Sequence, residues 1–295
     1  MKTPIHNRSL IDLPHSFTPY PVSGYDRIGM YLDYSDWPLP IEQLEATCCG
    51  IEIAPAVIPY QARWKQQIHL FQPTPMALRI LDESLKGGVG VGISYAEIAL
   101  DILHPDKRRV KAIRNSFLAS VKLPYGRDKV VPDKSIYYYR RRTTGTTRTP
   151  KNLVLYADNP SKLHNECHYL DGLPCCHFEM RISGSDSLEK EGIVSLKDLI
   201  RFKHHAFWER NLRLYSVPTQ PTKLGRMLAL ADGASTKVSG TALRKRANRW
   251  KERYSISHER SMIFVLHNAL LASPKLAQIL TRMTFREWLD EALYR

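Results

Sequence analysis

The segment 93–102 is the feature that most constrains the fold of this chain. Its apolar and polar residues alternate with the period of two that a β-strand imposes. The even-numbered positions from 96 to 102 are apolar, whereas Tyr95, Glu97 and Asp101 fall on the opposite face. Two carboxylates on one strand face repel each other unless something positive lies between them. The strand therefore predicts a cation site; the alternatives are solvated acids or salt bridges to arginines.

A strong excess of basic over acidic residues indicates which class of partner the protein binds. The chain has 295 residues, with 43 Lys and Arg against 29 Asp and Glu, and a formal net charge of +14. Such a surplus favours a polyanion, because each neutralised phosphate releases a counterion. Nucleic acid is therefore the partner that the composition favours.

The sequence predicts no membrane partner. No apolar run approaches the ~20 residues needed to cross a bilayer, and the first residues lack the apolar core of a signal peptide. The 5 cysteines form two adjacent pairs plus one, which argues against a disulfide framework. We therefore expect a reducing compartment.

The order of strand and helix patterns predicts the fold class. Segments 50–60 and 62–71 have strand patterns, and a helical pattern over 75–85 precedes the acidic strand. We expect an α+β fold in which an antiparallel sheet has one face packed by helices and the other open. A helical C-terminal region follows. The polar stretch after residue 184 divides the chain into expected domains 1–184 and 185–295.

A second informative region is the predicted hairpin over residues 135–158. Its first strand carries Tyr137, Tyr138 and Tyr139, and Tyr156 lies on its second. Basic residues accompany the tyrosines: Arg140, Arg141, Arg142, Arg148 and Lys151. Rings that stack on bases, beside cations that hold phosphates, are typical of a single-stranded nucleic-acid surface. A tyrosine can also attack a phosphodiester as a nucleophile; the alternative is that tyrosines are simply favoured in strands.

The strand pattern over residues 177–182 places His177, Glu179 and Arg181 on one face. If this strand lies beside the acidic strand, then Glu97, Asp101, Glu179 and His177 converge. Three carboxylates and an imidazole suit Mg²⁺ or Mn²⁺, and Arg181 suits a phosphate. The alternative is a cross-strand Glu–Arg ladder without a metal.

The loop over residues 162–177 offers a rival metal site. It is rich in Cys and His, the ligands of tetrahedral Zn²⁺. The residues are His164, Cys167, His168, Cys175, Cys176 and His177. Their spacing matches no standard zinc finger, and buried cysteines in a core are the alternative.

A basic helical pattern over residues 235–250 marks the C-terminal region. Its cations are Arg244, Lys245, Arg246 and Arg249. The pattern is compatible with a helix-turn-helix element that reads duplex DNA. It is equally compatible with a charged surface helix.

Three motifs together resemble the rolling-circle replication initiators of plasmids and filamentous phages, which are HUH-like endonucleases. The motifs are the acidic strand 94–101, the strand 152–158 followed by Lys162, and the strand 177–181. The chain departs from the family pattern in several places. Ala157 interrupts a Tyr-Asp pair, the lysine is displaced to position 162, His177 stands where an arginine is usual, and there is no His-hydrophobic-His triplet.

The resemblance implies an activity and its residues. A divalent metal, Mg²⁺ or Mn²⁺, would help a tyrosine to nick one DNA strand and stay linked to its 5′ end. Tyr156 matches the motif as the nucleophile, and Tyr139, Tyr138 or Tyr137 are the alternatives. Lys162 is implied as a further catalytic residue. The implied partner is single-stranded origin DNA in the cytoplasm of a bacterial host cell, with duplex DNA at the C-terminal helices and a host helicase as candidate partners. Two other functions stay open: a non-catalytic sequence-specific DNA-binding regulator, and a metal-dependent nuclease that hydrolyses DNA with water.

Overall fold

In the described part of the chain, the strands build one large sheet and one small one. The computed structural model describes residues 20–56, 63–122, 128–130, 136–139, 151–161, 163, 172–216, 220–231, 233–255 and 281–294. The strands are β1 Tyr20–Leu32, β2 Gly50–Pro55, β3 Gln66–Phe71, β4 Val91–Leu103, β5 Val121–Lys122, β6 Asp128–Val130, β7 Ile136–Tyr139, β8 Lys151–Pro160, β9 Pro174–Ser183, β10 Arg213–Tyr215 and β11 Arg282–Met283. The large sheet has 8 strands in the order β2-β3-β1-β4-β9-β8-β7-β6, and the small sheet has the order β11-β10-β5. Every pairing in both sheets is antiparallel.

The helices begin where the sequence supplies caps. Thr74 accepts a hydrogen bond from the backbone N–H of Ala77, and Asp106 accepts one from that of Arg108. Such side chains satisfy N–H groups that have no partner in the first helical turn. The helices within the described ranges are α1 Ile41–Glu45, α2 Pro75–Ser84, α3 Lys107–Ser120, α4 Ser185–Glu189, α5 Leu196–Ile200, α6 His204–Asn211, α7 Pro221–Ala231, α8 Gly240–Ser255 and α9 Phe285–Tyr294.

One face of the large sheet forms the hydrophobic core with the helices. Ile98 and Ile102 of β4 and Phe178 of β9 are fully buried on this face. Phe117 of α3 packs edge-on against Phe178, with ring centroids 4.6 Å apart. Burial of these side chains stabilises the layer of helices on the sheet, by about 2 kcal/mol for each large side chain. The predicted α+β fold, with helices on one sheet face, is confirmed.

The strand β1 is longer and more central than its sequence indicates. The sequence predicts only a short strand over residues 25–33 within an irregular arm. In the structure β1 pairs with β3 on one side and β4 on the other. A register shift between Tyr25 and Arg27 interrupts its alternation. A β-bulge of this kind hides a strand from a pattern with a period of two.

The hydrophobic core continues past residue 184. Leu199 of α5, Phe207 of α6 and Trp288 of α9 belong to the same buried cluster as Ile98 and Phe178 of the sheet. Helices from the C-terminal region therefore complete the packing of the sheet. The division into domains 1–184 and 185–295 stays a prediction, and the core itself does not divide there.

Candidate metal centre beside a tyrosine

The predicted metal ligands lie on one face of the large sheet, which we call the polar face. Asp101 of β4 lies directly opposite His177 of β9, and Glu97 lies directly opposite Arg181. Directly opposed residues of antiparallel strands share a face. Glu179 is two residues from His177 on β9 and so lies on that face too. The predicted convergence of two separate strands on one patch is confirmed.

The polar face is not open at this patch, contrary to the expectation from the sequence. The exposed fractions are 4% for Glu97, 0% for Asp101, 1% for His177 and 2% for Glu179. Neighbouring side chains cover them; for example, the Ser161 hydroxyl donates a hydrogen bond to Asp101. Burial of charged groups is costly unless they are paired. The patch is therefore a built polar cluster and not a solvated surface.

The imidazole of His177 lies between two carboxylates. Its Nδ1 is hydrogen-bonded to Asp101, and its Nε2 lies 3.5 Å from a carboxylate oxygen of Glu179. Within the described part of the chain, this buried Nε2 has no hydrogen-bond partner. A carboxylate on one ring nitrogen fixes the orientation of the other, as in carboxylate–histidine–metal arrangements. The geometry leaves Nε2 available to a metal ion.

The charges around His177 shift the pKa values of the cluster. Burial alone would lower the pKa of His177, but Asp101 and Glu179 outweigh it and raise that pKa to about 9. Burial alone would raise the pKa of Glu179, but the nearby His177 imidazole and a hydrogen bond from Arg181 lower it overall. In the absence of a metal, a proton on His177 therefore provides the positive charge that the cluster needs.

Among the residues that the structure describes, two sets of potential metal ligands share His177. Asp101, Cys175 and His177 form one set, and Asp26, His177 and Glu179 form the other; within each set the ligand atoms lie within 4.8 Å of one another. The set with a thiol suits Zn²⁺, whereas the set with two carboxylates and an imidazole suits Mg²⁺ or Mn²⁺. The donors of this patch therefore fit a divalent ion.

The sequence does not indicate Asp26 as a ligand, and it indicates Cys175 only for the zinc alternative. Asp26 lies at the bulge of β1 between Tyr25 and Arg27, so no regular alternation points to it. Cys175 lies two residues before His177 on β9, and a period of two extended by one step would have placed it on the polar face.

Glu97 belongs to neither set of ligands. Its carboxylate lies 2.8 Å from Arg27 and 3.4 Å from Arg181, and it accepts a hydrogen bond from the Tyr95 hydroxyl. Burial, followed by the nearby charge of Glu179, raises the pKa of Glu97. Two guanidinium groups and a phenol already contact this carboxylate, and its assignment as a metal ligand stays a prediction.

Tyr156 lies against the imidazole that the two carboxylates share. Its ring stacks on the His177 imidazole, with centroids 4.4 Å apart and planes at 28°. The side chain is half-buried. Burial raises the pKa of Tyr156, and the charges of Glu179 and Asp26 raise it further. Without a cation nearby, this phenol stays protonated at neutral pH.

The other predicted catalytic residues lie elsewhere or are not described. Tyr139 lies on β7, which β8 separates from β9. Several residues of the sequence predictions lie outside the described residues: Lys162, Arg140, Arg141, Arg142, Arg148, His164, Cys167 and His168. Cys176 points away from the polar face and belongs to the hydrophobic core.

Lys151, which the sequence predicts to bind DNA, lies on the helix side of the sheet. Its backbone is opposite the core residue Ile182. Its ammonium contacts Glu191 and donates a hydrogen bond of 2.6 Å to Asn211. Burial lowers the pKa of Lys151. The side chain is therefore an internal ion-pair partner of the helices, remote from the polar face.

The predicted basic helix exists as α8 and packs on α7. A Cβ at Gly225 of α7 would lie 2.0 Å from the Leu243 carbonyl oxygen of α8, so the two backbones touch. Leu243 and Ala247 of α8 are buried. Arg244, Lys245 and Arg249 are exposed, and Arg246 is half-buried.

The comparisons with known proteins give a likeness in structure and none in sequence. No family model matches the chain, and no curated protein matches it. The structure is similar to that of a rolling circle replication initiator protein from Geobacillus stearothermophilus, with a TM-score of 0.35 and 10% sequence identity over 68% of this chain and 89% of the other. That protein is of the kind that the sequence motifs resemble. At this level of similarity, the likeness by itself assigns neither family nor activity.

None of the helices in the described part of the chain combines the length and the apolar character needed to cross a bilayer.

Proposed function

We propose that the protein initiates rolling-circle DNA replication by nicking one strand of an origin in a metal-dependent reaction. A tyrosine is the nucleophile, and Tyr156 is our assignment. The observation that carries the proposal is the stack of Tyr156 on His177, an imidazole shared by two sets of metal ligands. A phenol against a buried site for a divalent cation suits attack on a phosphodiester.

The metal ligands in this proposal are His177, Glu179 and Asp26. The free Nε2 of His177 faces Glu179, and all of the ligand atoms lie within 4.8 Å of one another. Asp101 then serves as the partner of Nδ1 that orients the ring. Oxygen and imidazole ligands favour Mg²⁺ or Mn²⁺. A bound ion would polarise the scissile phosphate, and it would counter the charges of Glu179 and Asp26, which add to burial in raising the pKa of Tyr156.

The covalent step is a single displacement at phosphorus. The hydroxyl oxygen of Tyr156 forms a bond to the phosphorus while the bond to the 3′ oxygen breaks. The phenol proton leaves for solvent, and the leaving 3′ oxygen takes up a proton to become a free 3′-OH. The product is a 5′-phosphotyrosine link, which keeps the strand available for later rejoining.

Two arginines lie where they can meet the phosphate backbone. Arg27 and Arg181 flank the buried Glu97, and their side chains stay 36% and 34% exposed. Guanidinium groups bind phosphate oxygens in a bidentate manner and stabilise the charge that develops on them. Lys162 and Arg142 keep this role as sequence predictions only.

The helical pair α7 and α8 is proposed to bind duplex DNA near the nick. The exposed face of α8 presents Arg244, Lys245 and Arg249, and its buried face packs on α7 through the close approach at Gly225. A basic helix held by a second helix is the arrangement that helix-turn-helix proteins lay in the major groove. The helices would form part of the accessory region 185–295 next to the nicking region 1–184. A host helicase and a location in the bacterial cytoplasm belong to the same proposal.

The test is a search for a covalent adduct with DNA. The full chain is incubated with Mn²⁺ and a pool of 3′-labelled single-stranded oligonucleotides that have a randomised central stretch. The nicking proposal predicts a labelled protein band on a denaturing gel, because the fragment downstream of the nick stays on the tyrosine. EDTA should abolish that band.

The same experiment separates the rival functions. Cleavage without a labelled protein band would indicate hydrolysis by a metal-bound water. Binding without cleavage at any sequence in the pool would leave a DNA-binding regulator. Glu179→Gln removes a proposed ligand and should abolish the adduct, whereas Glu189→Gln, in α4 on the helix side, is the matched control and should leave it unchanged.

A further inference from the structure

Three residues at one end of the polar face form an aromatic and cationic group that the proposed chemistry does not use. Tyr31 lies near the end of β1, and Arg63 and Trp64 precede β3. The Tyr31 and Trp64 rings have centroids 6.1 Å apart and planes at 32°. The Arg63 guanidinium lies 4.7 Å from the centroid of the Trp64 ring. We call these three residues the stacking cluster.

Glycine creates the space that the indole of Trp64 occupies. Gly92 of β4 lies directly opposite Tyr31. A Cβ at Gly92 would lie 2.7 Å from two ring atoms of Trp64, so any other residue would push the indole off the sheet. Trp64 and Tyr31 are both half-buried. The rings therefore lie on the sheet surface with part of their area exposed.

The stacking cluster lies on the same face as the metal centre. Tyr31 and Arg27 are four residues apart on β1, after the bulge, and so share a face. Arg27 contacts Glu97 of the polar patch, and its guanidinium lies 4.8 Å from the Tyr95 ring centroid. Partly exposed rings and guanidinium groups thus follow one another along β4, from Gly92 past Tyr95 toward the site of Tyr156.

The charge at the stacking cluster favours a polyanion. The Arg63 side chain is 66% exposed, and its contact to Asp33 is long, at 3.8 Å. Asp33 also accepts a hydrogen bond of 2.6 Å from the Gly90 backbone, so its carboxylate is shared. The guanidinium can therefore reach a phosphate while it stays over the indole. A ring pair beside such a cation is how proteins hold the bases and backbone of single-stranded nucleic acid.

We propose that the stacking cluster is a base-stacking subsite for single-stranded DNA, at the far end of a track that follows β4 to the nicking site. This inference rests on the proposed function, because it assumes that the strand lies on the polar face. Glu97 lies five positions after Gly92 on β4, a rise of about 17 Å along a strand. The cluster would therefore bind nucleotides that flank the nick, without preference for a particular base.

The test measures binding in EDTA, where no nicking occurs. The probes are labelled oligothymidylates of about 4 to about 16 nucleotides. Trp64→Ala should weaken binding of the longest probe by about 10-fold, and Trp64→Phe should retain most of the affinity. Arg63→Ala should weaken binding and reduce the slope of log affinity against log salt by about one. Arg79→Ala, which removes the same charge from the helix layer, should change neither.

A second measurement locates the contact directly. A 5-iodouracil placed at successive positions of the longest probe should crosslink to a peptide that contains Tyr31 or Trp64. Crosslinks confined to other peptides would overturn the inference, as would a folded Trp64→Ala variant that binds every probe like the wild type. Normal binding by the folded Trp64→Ala variant would mean that the stacking cluster has a purely structural role.

The outcomes separate this inference from the proposed function. If the wild type forms the covalent adduct and the Trp64→Ala variant binds DNA normally, the stacking subsite alone is refuted. If the wild type forms no adduct and the Trp64→Ala variant loses binding, nicking is refuted and the subsite is supported. A chain that binds no single-stranded probe refutes both.

Discussion

The phenol ring of Tyr156 stacks on the imidazole of His177, with the two ring centroids 4.4 Å apart. The contact joins a half-buried side chain that reaches the surface to one that is almost fully buried. It thereby connects the outer side of the polar face to the cluster of carboxylates beneath. The stack depends on the ring and not on the hydroxyl, which makes the two roles of Tyr156 separable.

Tyr156→Phe should abolish adduct formation and leave the fold intact. The substitution removes the nucleophilic oxygen but keeps the stacked ring, so we expect a loss of rate by a factor of about 10³ or more. The free energy of unfolding should change by less than about 1 kcal/mol. Rates come from the gel assay and stability from urea denaturation. An adduct that survives at the wild-type rate would transfer the role of nucleophile to another tyrosine.

Asp26→Asn and Cys175→Ser should distinguish the two sets of ligands. If Mn²⁺ binds between Asp26, His177 and Glu179, then Asp26→Asn should weaken Mn²⁺ binding by about 10-fold or more, and Cys175→Ser should leave it nearly unchanged. Titration calorimetry on the folded variants measures both. The reverse pattern, together with tighter binding of Zn²⁺, would place the metal at the set that contains Asp101.

The stability of the metal-free protein should fall as the pH rises above about 6.5. The pKa of His177 is about 9 in the folded state against an ordinary value of 6.5. Because the folded state holds this proton more tightly, the stabilisation is complete below the lower value and is lost as the pH rises through the upper one. The loss is on the order of 3 kcal/mol.

The difference between the wild type and His177→Gln isolates this effect. Urea denaturation of both proteins between pH 6 and pH 10 should give a stability difference that shrinks with pH. A difference that stays constant across the range would show that His177 carries no proton in the folded protein. Since a metal ion must displace that proton, Mn²⁺ affinity should rise by up to about tenfold per pH unit in the same range.

Gly225→Ala should destabilise the helical pair α7 and α8, although alanine favours helices by about 1 kcal/mol over glycine. The new Cβ would lie 2.0 Å from a backbone oxygen of Leu243, and neither backbone can move without separating the helices. We expect a loss of about 2 kcal/mol. Gly240→Ala is the matched control, because its Cβ would meet nothing closer than Thr222 at 3.9 Å. Equal effects of the two substitutions in thermal denaturation would contradict the close helix contact.

The sequence predicted the part of the site that follows regular strand alternation. β4 and β9 keep a period of two over their central residues. The polar side of β4 could therefore be assigned to Asp101, and that of β9 to His177 and Glu179, from the sequence. Only the pairing of the two strands had to be assumed, and the register confirms it.

The rest of the site depends on features that alternation does not record. Asp26 joins the cluster through a bulge in β1, and a bulge is set by tertiary contacts as well as by local sequence. Burial of the polar face could not be predicted either, because it depends on Ser161 and other residues that are distant in sequence from Asp101. Glu97 fits the alternation of β4, but its carboxylate accepts a hydrogen bond from Arg27 of β1. The sequence does not specify that these two strands pair.

The most direct test of the account is to locate the DNA on the protein. The covalent adduct is digested with nuclease and protease, and mass spectrometry identifies the peptide that retains a nucleotide. The account predicts a nucleotide joined through a 5′ phosphate to Tyr156, formed only when Mg²⁺ or Mn²⁺ is present. A nucleotide on one of the tyrosines 137–139, or an adduct that forms equally well in EDTA, would contradict it.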